Sequence, residues 1–423
     1  MPRADGSLAG VLFGVEAADA RFIDPLLAGK LPALLPRGVY RFANDPRDDA
    51  SAREGAALGF ALSKYRFQRY RKSPPPAAKL QTPEGVNPVR NARIAGAMAM
   101  ARDLVNTPAN DMGPAALEKA ALALAKRYGA KAKVIRGADL LKQNFPLIYV
   151  VGKAASEAPR LVDFTWGPAK APKVTLVGKG VCFDTGGLDI KPSSAMGMMK
   201  KDMAGAAAAM ALAHMIMDAR LPVRLRVLLP IVENAISAPA FRPGDIYPSR
   251  KGLSVEIGNT DAEGRLILAD ALALADEEAP EHLFDFATLT GAARVALGPE
   301  VAPFFTMNDA LADELARAGM KVNDPIWRLP LWEPYDSWLD GKISTLNNIA
   351  SSPFAGCIVA ALFLRRFVEK TPNWSHFDIY GWNASARPGK PEGGDVQTAR
   401  LLYEWLEQRY AKPRAAPGKR RAI

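Results

Sequence analysis

The sequence has little cysteine, little histidine and no long apolar run, and each shortage excludes a class of protein. Its two cysteines, Cys182 and Cys357, provide neither a disulfide framework nor the paired spacing of a zinc finger. Its three histidines, His214, His282 and His376, do not form a His-Glu-x-x-His pattern, which excludes a zinc peptidase with histidine ligands. We expect all three to be structural. No apolar run reaches the ~18–20 residues that a membrane-spanning helix needs.

The N-terminal residues do not resemble a targeting signal. Their apolar run extends only from Leu8 to Gly14 before Glu16 interrupts it, and neither a basic leader nor a convincing cleavage site accompanies it. Together with the scarcity of cysteine, this predicts a reduced, cytoplasmic protein without a membrane partner.

Charge raises the question of nucleic acid, because the net charge is +11. Basic residues alternate with aromatic ones over residues 64–72, and they recur in the C-terminal tail, residues 412–423. We expect residues 64–72 to form a half-buried helix or strand with a charged solvent face. The tail has the composition of a disordered segment. Nucleic acid is therefore not the expected partner.

Chain length predicts two domains, because 423 residues are more than one ordinary hydrophobic core accommodates. The best linker is the proline-rich stretch 73–85, and Asn87-Pro88 opens a helix that ends near residue 106. We predict a small α/β domain over 1–85, a connecting helix over 86–106, a catalytic domain over 107–411 and the basic tail. In the first domain we expect a strand at 11–15 and a helix at 51–64.

Strand and helix patterns alternate after residue 112, which predicts an α/β fold with a mostly parallel central sheet covered by helices. The expected helices cover residues 115–128, 204–219 and the segment after 263. The expected strands cover residues 131–135, 147–151, 161–165, 174–177, 222–231, 253–257 and 283–287. Lys179, Asp261 and Thr288 each follow such a strand. In open α/β sheets ligands bind at that edge, so these residues indicate one shared cleft.

The most informative stretch is residues 259–266, which read NTDAEGRL. In an extended backbone alternate side chains share a face, so we expect Asp261, Glu263 and Arg265 to point together. Two carboxylates and a guanidinium in that arrangement suit divalent cations beside an oxyanion. The alternative is an ordinary helix start, with Asp261 as the N-cap and Arg265 paired to an acid.

A second stretch, residues 174–205, repeats this chemistry with Lys179, Asp184, Lys191 and Asp202. Glycines on both sides of Lys179 indicate a close backbone approach, although a solvated surface lysine is the alternative. Asp202 has an alternative role as the N-cap of the helix that follows it. A phosphate-binding loop is excluded because the Walker spacing is absent.

In these two stretches the chain resembles the leucyl aminopeptidases, two-metal enzymes that remove N-terminal residues from peptides. Residues 259–266 match the signature of that family at every position, and the four residues of the second stretch fall at its spacing. The resemblance extends from about Arg102 to the last helix. In the family the N-terminal domain is larger than the region before residue 85 here.

The resemblance implies a site with two divalent ions, zinc or manganese. Asp184 and Glu263 would bridge them, Lys179 and Asp202 would complete one position, and Asp261 would complete the other. Four carboxylates balance the charge of two such cations. Lys191 would stabilise the oxyanion, and Arg265 would hold a bicarbonate ion as general base.

The resemblance also implies a peptide substrate with a free N-terminus and a hexameric assembly. The residues implied to line the substrate cleft are Met199, Asn259, Ala262, Thr288, Leu289 and Gly291. One departure is the stretch 387–395, where the family has a loop of small residues, so the preferred N-terminal side chain stays open. The alternative function is a non-enzymatic nucleic-acid-binding assembly on the same fold. The complete set of implied ligands favours the enzyme.

Overall fold

The computed structural model describes residues 1–5, 7–17, 19–43 and 49–411, and the chain divides into two compact units. The smaller unit comprises Met1–Arg66, Ser73–Ala95 and Ala386–Pro391. The larger unit comprises Phe67–Lys72, Gly96–Ser385 and the described residues from Glu392 onward. The expected basic tail, 412–423, lies outside the described residues. The domain boundaries at 85 and 106 stay predictions.

The smaller unit combines short helices with a two-stranded parallel sheet. Its elements are α1 (Leu31–Leu34), β1 (Val39–Tyr40), α2 (Ala50–Leu62) and β2 (Lys79–Leu80). The Asp49 side chain accepts a hydrogen bond from the Ala52 amide and so caps α2, which confirms the helix expected at 51–64. Phe60 packs in a small core with Ala28 and Leu31.

The strand expected at 11–15 is wrong, because these residues have an irregular backbone in the structure. Leu12 is 85% exposed, so its apolar side chain has no buried face to join. A short apolar run forms a strand only where a partner strand satisfies its backbone groups.

The long helix α3 (Pro88–Asn106) begins at the expected proline and contributes residues to both units. The further helices are α4 (Pro114–Arg127), α5 (Asp139–Lys142), α6 (Pro146–Gly152), α7 (Ser193–Met196), α8 (Ala204–Asp218), α9 (Glu263–Glu277), α10 (Ala292–Leu297), α11 (Asp309–Lys321), α12 (Gly356–Arg365) and α13 (Ala399–Tyr410). The further strands are β3 (Lys131–Arg136), β4 (Arg160–Trp166), β5 (Lys173–Gly178), β6 (Gly180–Asp184), β7 (Arg224–Asn234), β8 (Ile246–Pro248), β9 (Ser254–Glu256), β10 (His282–Ala287), β11 (Ala302–Thr306), β12 (Ile326–Arg328), β13 (Leu346–Asn347), β14 (Trp374–Asp378), β15 (Trp382–Asn383) and β16 (Gly393–Gly394).

The larger unit is built on a nine-stranded sheet in the order β12-β11-β14-β10-β5-β7-β4-β3, with β6 also paired to β7. The central strands β7, β5, β10 and β14 are parallel, whereas β3, β4 and β7 pair antiparallel, as do β11 and β14. Helices α8 and α9 pack on the central strands, α8 together with α13 and α9 together with α6 and α12. The expected α/β class is confirmed, with a mixed sheet.

The strand expected at 147–151 is wrong, since these residues form helix α6. Both states bury a short apolar run equally well, so periodicity alone does not separate them. Pro146 occupies the first helical position, and the Asp270 carboxylate accepts hydrogen bonds from the amides of Leu147 and Ile148. Because these hydrogen bonds satisfy amides at the N-terminus of α6, they stabilise the helix.

The basic stretch 64–72 also differs from expectation, because it forms turns and irregular backbone and no helix or strand. In the larger unit the Tyr70 hydroxyl donates to the Asp111 carboxylate, and Arg69 Nε lies 3.5 Å from Asp111 Oδ2. These contacts use side chains rather than a regular backbone pattern. Among the described residues, no helix is long and apolar enough to cross a membrane.

Candidate active site

The carboxyl ends of three neighbouring parallel strands meet at one edge of the sheet. In the register of β5, β10 and β14, Gly178 lies opposite Phe286, and Ala287 lies opposite Asp378. The chain leaves each strand at this edge, so Lys179 and Thr288 emerge side by side. This is the edge at which the sequence predicted a cleft.

Glycines let helix α8 begin directly against these strand ends. A Cβ atom at Gly205 would lie 2.2 Å from the Phe286 carbonyl oxygen, and one at Gly178 would lie 2.6 Å from Ala206 Cα. No other residue fits at such distances. The close approach brings Asp202, just before α8, next to Lys179.

Lys179 lies at the centre of the site with its side chain only 3% exposed. Its Nζ is 2.9 Å from Asp202 Oδ2 and 2.8 Å from Glu263 Oε1, and it donates to the Thr288 carbonyl at 3.1 Å. Burial lowers the pKa of Lys179, but the surrounding carboxylates more than offset burial and raise that pKa well above its ordinary value. The solvated surface lysine considered from the sequence is therefore wrong.

Three buried carboxylates form a compact oxygen cluster around this lysine. One oxygen each from Asp184, Asp202 and Glu263 lies within 4.8 Å of the others. The Lys179 ammonium contacts Asp202 Oδ2 and Glu263 Oε1, and Glu263 Oε2 is buried with no hydrogen-bond donor among the described residues. Buried carboxylate oxygens that converge on one point with a single cation between them suit a divalent ion.

The crowding of negative charge is visible in the pKa values of these acids. Burial raises the pKa of Glu263 to about 8, and the neighbouring Asp184 carboxylate adds to the rise. Burial likewise raises the pKa of Asp202, and the pKa of Asp261 rises to about 6. Each shift means that the ionised form lacks sufficient positive charge nearby.

Lys191 and Asp261 extend the cluster on the side of Asp184. Lys191 Nζ lies 2.9 Å from Asp184 Oδ2 and also contacts Asp261 Oδ1. The other Asp184 oxygen accepts hydrogen bonds from the Gly186 amide and from Asn234 Nδ2. All five residues that the resemblance implied as ligands therefore meet here, together with Lys191.

Two residues that the sequence did not indicate join the two stretches. The Thr260 hydroxyl donates to the Gly186 carbonyl at 2.6 Å, and its amide donates to Asp189 Oδ2 at 2.7 Å. Asn234, fully buried at the end of β7, donates both to Asp184 and to the Thr260 carbonyl. A lone asparagine at a strand end carries no sequence signal for such a role.

The extended backbone expected for residues 261–265 is wrong. Glu263 and Arg265 belong to the first turn of α9, whose N-cap is Ala262 and not Asp261. Asp202 is not an N-cap either, since it lies in a 3₁₀ segment, Met199–Met203, and Met203 caps α8. Helix α9 begins two residues after Asp261, so Asp261 and Glu263 reach the site from a turn and from a helix start.

Arg265 is buried, and its Nη1 donates to the Asn348 carbonyl at 2.8 Å. Its Nε has no hydrogen-bond partner among the described residues. Burial lowers the pKa of Arg265 to about 10. Asn348, which sequence reasoning missed, also accepts from the Gly258 and Asn259 amides and so fixes the segment before α9. Arg265 thus offers unused donors in a buried setting.

The residues implied to line the substrate cleft surround this cluster in different ways. The Thr288 hydroxyl donates to Asp202 Oδ1 at 2.6 Å, and Asn259 Oδ1 accepts from the Asp261 amide. Met199 begins the 3₁₀ segment that carries Asp202. Gly291 faces open space, because no atom lies within 4 Å of where its Cβ would be. The remaining two, Ala262 and Leu289, adjoin Asp261 and Thr288 in the chain.

The three histidines lie outside the described carboxylate cluster, in keeping with the structural role expected for them. His376 is fully buried, and its Nδ1 lies 2.6 Å from Asp285 Oδ1. His282 packs among the rings of Phe284, Trp405 and Tyr410.

The sequence matches two family descriptions that together cover most of the chain. Residues 99–403 match the cytosol aminopeptidase family, catalytic domain, and residues 1–83 match the M17 aminopeptidase, N-terminal domain. A probable cytosol aminopeptidase of Syntrophotalea carbinolica is 42% identical over 368 residues, 83% of this chain and 74% of that protein. A probable cytosol aminopeptidase of Chlamydia trachomatis is 45% identical over 287 residues, which span 67% of this chain and 57% of the relative, less than two thirds of its length.

Two solved structures are similar over nearly the whole chain. The crystal structure of a cytosol aminopeptidase from Coxiella burnetii superimposes with a TM-score of 0.92 at 48% identity, covering 97% of this chain and 88% of that one. The bottromycin maturation enzyme BotP in complex with Mn gives a TM-score of 0.88 at 34% identity, covering 96% and 92%.

Proposed function

Because the chain belongs to the cytosol aminopeptidase family, we propose that it hydrolyses the N-terminal peptide bond of peptides at a two-metal centre. The observation that carries this proposal is the buried oxygen cluster of Asp184, Asp202 and Glu263 around Lys179, in which Glu263 Oε2 has no donor among the described residues. Peptides with a free N-terminus would be its substrates. The catalytic unit is taken to cover residues 107–411, after a small domain over 1–85 and a connecting helix.

The donor set suits two divalent ions, zinc or manganese. Asp184 and Glu263 would bridge the two ions, Lys179 and Asp202 would complete one position, and Asp261 would complete the other. Lysine binds a metal only as the neutral amine, whereas the carboxylates here raise the pKa of Lys179. Loading the site would therefore release the proton of Lys179. Divalent ions bound there supply two effects, polarisation of the scissile carbonyl and a lower pKa for the attacking water.

Lys191 would donate a hydrogen bond to the oxygen that becomes negative in the transition state. Its contacts with Asp184 and Asp261 keep it charged, since these carboxylates offset its burial and raise its pKa. An ammonium held at a fixed place beside the reacting carbonyl stabilises developing charge without reorganisation.

Arg265 would hold a bicarbonate ion, whose role is that of general base. The need for such a base follows from the donor set, because the nearby carboxylates are assigned as ligands. The guanidinium already donates to Asn348, and its Nε has no partner among the described residues. A guanidinium edge with unused donors suits a planar anion.

The substrate would lie against Asn259, Ala262, Thr288, Leu289, Gly291 and Met199. Thr288 contacts Asp202 directly, so the residue that would touch substrate also touches a ligand. The stretch 387–395 departs from the family's loop of small residues, so the proposal names no preferred N-terminal side chain. We also propose that the chain assembles as a hexamer.

Metal content and turnover of paired peptides test this function. The metal-replete chain should hold about two equivalents of zinc or manganese, and Asp184→Ala should hold less. A peptide with a free N-terminus should be cut, while its N-acetylated form should not, because acetylation removes the amine lone pair that serves as a ligand. Full activity without metal, or equal cleavage of both peptides, would overturn the proposal.

A further inference from the structure

Another buried carboxylate, Asp378, lies at the same sheet edge as the site but outside the oxygen cluster of Asp184, Asp202 and Glu263. It is the last residue of β14, and the parallel register places it opposite Ala287, the last residue of β10. The Ile379 amide donates to the Ala287 carbonyl at 2.8 Å and continues the ladder past the strand ends. The segment Thr288–Gly291, called here the 288–291 loop, therefore begins directly beside Asp378.

Asp378 is fully buried, and its carboxylate accepts hydrogen bonds from this loop, from Arg294 and from the Cys357 thiol. Its Oδ1 accepts from the Leu289 amide at 3.0 Å, and its Oδ2 accepts from the Thr290 amide at 3.1 Å and the Thr290 hydroxyl at 2.6 Å. Hydrogen bonds to an ionised carboxylate are about twice as strong as neutral ones. One side chain thus fixes two consecutive backbone amides of the loop.

Arg294 contacts both Asp378 and the loop. Its Nη2 donates to Asp378 Oδ1 at 2.8 Å and to the Thr290 carbonyl at 2.9 Å, and its Nη1 donates to the Asp378 carbonyl. Burial alone would raise the pKa of Asp378, but Arg294 and His376 hold it below the ordinary value. The carboxylate is therefore ionised and paired.

The first residue of the loop links this arrangement to the metal cluster. Thr288 donates its hydroxyl to Asp202 Oδ1, and its carbonyl accepts from Lys179 Nζ. The loop is thus fixed at Thr288 by the cluster and at Leu289 and Thr290 by Asp378.

We propose that Asp378 is a positioning residue that holds the 288–291 loop in the conformation that binds the peptide substrate. This inference rests on the proposed function, since it takes Thr288, Leu289 and Gly291 as substrate contacts. Among the described residues, the hydrogen-bond partners of the Asp378 side chain lie in the loop, in Arg294 and in Cys357 rather than in the cluster of Asp184, Asp202 and Glu263. Asp378 would act through the two amides and the hydroxyl whose hydrogen bonds it accepts.

Asp378→Asn is the direct test, because it keeps the shape and removes the charge and one acceptor oxygen. KM for an aminoacyl amide should rise about 10–100-fold while kcat changes less than about three-fold, because the loop binds ground state and transition state alike. Metal content should stay at the wild-type value. Hydrogen exchange at the Leu289 and Thr290 amides should accelerate at least ten-fold, since these two groups donate to Asp378.

Asp276→Asn is a matched control, because Asp276, near the end of α9, holds the segment that precedes β14. Asp276 is buried and accepts from the amides of Glu369 and Lys370 and from the Thr371 hydroxyl, before β14 begins. Its loss removes the same kinds of hydrogen bond far from the loop. It should lower stability without changing KM.

Thr290→Val provides a second, milder variant that removes only the hydroxyl bond to Asp378. KM should rise by about three-fold or more. In the double variant with Asp378→Asn, KM should rise by less than the product of the two single-variant factors. The inference is overturned if Asp378→Asn keeps the wild-type KM, if it loses metal together with activity, or if Asp276→Asn raises KM equally. An inactive wild-type chain would instead refute the proposed function, and the exchange rates would still report on the loop.

Discussion

At the scale of single residues, the site places two lysines in different settings. The Lys179 ammonium is 3% exposed and contacts Asp202, Glu263 and the Thr288 carbonyl. Lys191 is more accessible, with 13% of its side chain exposed, and forms ion pairs with Asp184 and Asp261. The buried position suits a metal ligand, and the more accessible one suits a contact with substrate.

Replacing Lys191 separates these two roles. Lys191→Ala should leave the metal content unchanged, because the four carboxylates already balance two divalent cations. The value of kcat should fall about 10²–10³-fold, the usual loss when one oxyanion donor is removed. Lys251→Ala is a suitable control, since Lys251 is also half-buried and ion-paired, 2.7 Å from Glu369, but lies outside the site. A metal-depleted Lys191→Ala protein would mean that Lys191 supports the carboxylates instead.

His282 should make stability depend on pH. Burial, assisted by Arg409, lowers the pKa of His282 to about 4, whereas an unfolded chain has a value near 6.5. As the pH falls from about 6.5 to 4, the unfolded chain takes up a proton that the folded chain rejects, so stability is lost. At pH 5 the loss should be about 2 kcal/mol relative to pH 7.5.

His282→Phe should remove that part of the acid sensitivity. A phenyl ring keeps the packing with Trp405 and gives up a 3.5 Å contact between His282 Nε2 and Glu281 Oε1. The measurement is denaturant unfolding of both proteins at pH 7.5 and pH 5. Equal losses on acidification in the two proteins would refute the assignment.

At the scale of elements, the site depends on how closely α8 approaches the ends of β5 and β10. Gly205 and Gly178 permit contacts that no Cβ atom allows. The sequence predicted these strands and the helix within a few residues, because their apolar runs are long and their periods distinct. It did not predict α6, whose start depends on the remote Asp270, or the turn that brings Asp261 beside Glu263.

Gly205→Ala tests the close approach. The new methyl would lie 2.2 Å from the Phe286 carbonyl oxygen and 2.9 Å from the Lys179 amide nitrogen, so the backbone must move. We expect a loss of about 3 kcal/mol in the free energy of unfolding, together with weaker metal binding, because Asp202 precedes α8. Gly96→Ala in α3 is the control, since no atom lies within 4 Å of its Cβ position. It should be neutral or stabilise by up to about 1 kcal/mol. Similar unfolding midpoints for the two variants would contradict this account.

At the scale of the whole molecule, the sequence predicted the residues that belong to local motifs but not those that act through contacts with distant parts of the chain. The residues proposed as metal ligands and catalytic groups stood out because unusual residue types recur at fixed spacing in two stretches. Asn234, Asn348 and Asp378 did not stand out, since each is an ordinary polar residue whose partners lie far away in the chain. Their roles follow from strand register, which no local pattern encodes.

The proposed hexamer gives a prediction at this scale. The chain has a mass of 45.5 kDa, and light scattering during gel filtration should give six times that value at micromolar concentration. Dilution should leave the mass unchanged if the assembly is obligate, because such interfaces bury large apolar areas. A mass of a single chain would refute the proposal and leave the metal chemistry unaffected.

The order of the strands has a consequence for the protein during its own synthesis. The groups of the site run from Lys179 to Asp378, and β14, almost at the end of this stretch, pairs with β10 in the middle of the sheet. Contacts between such distant parts of a chain form late in folding. A nascent chain that stops before β14 would carry the residues proposed as ligands but would lack Asp378. Tight binding of a peptide at the proposed site would therefore develop only after β14 has paired with β10, because the 288–291 loop takes its position from Asp378.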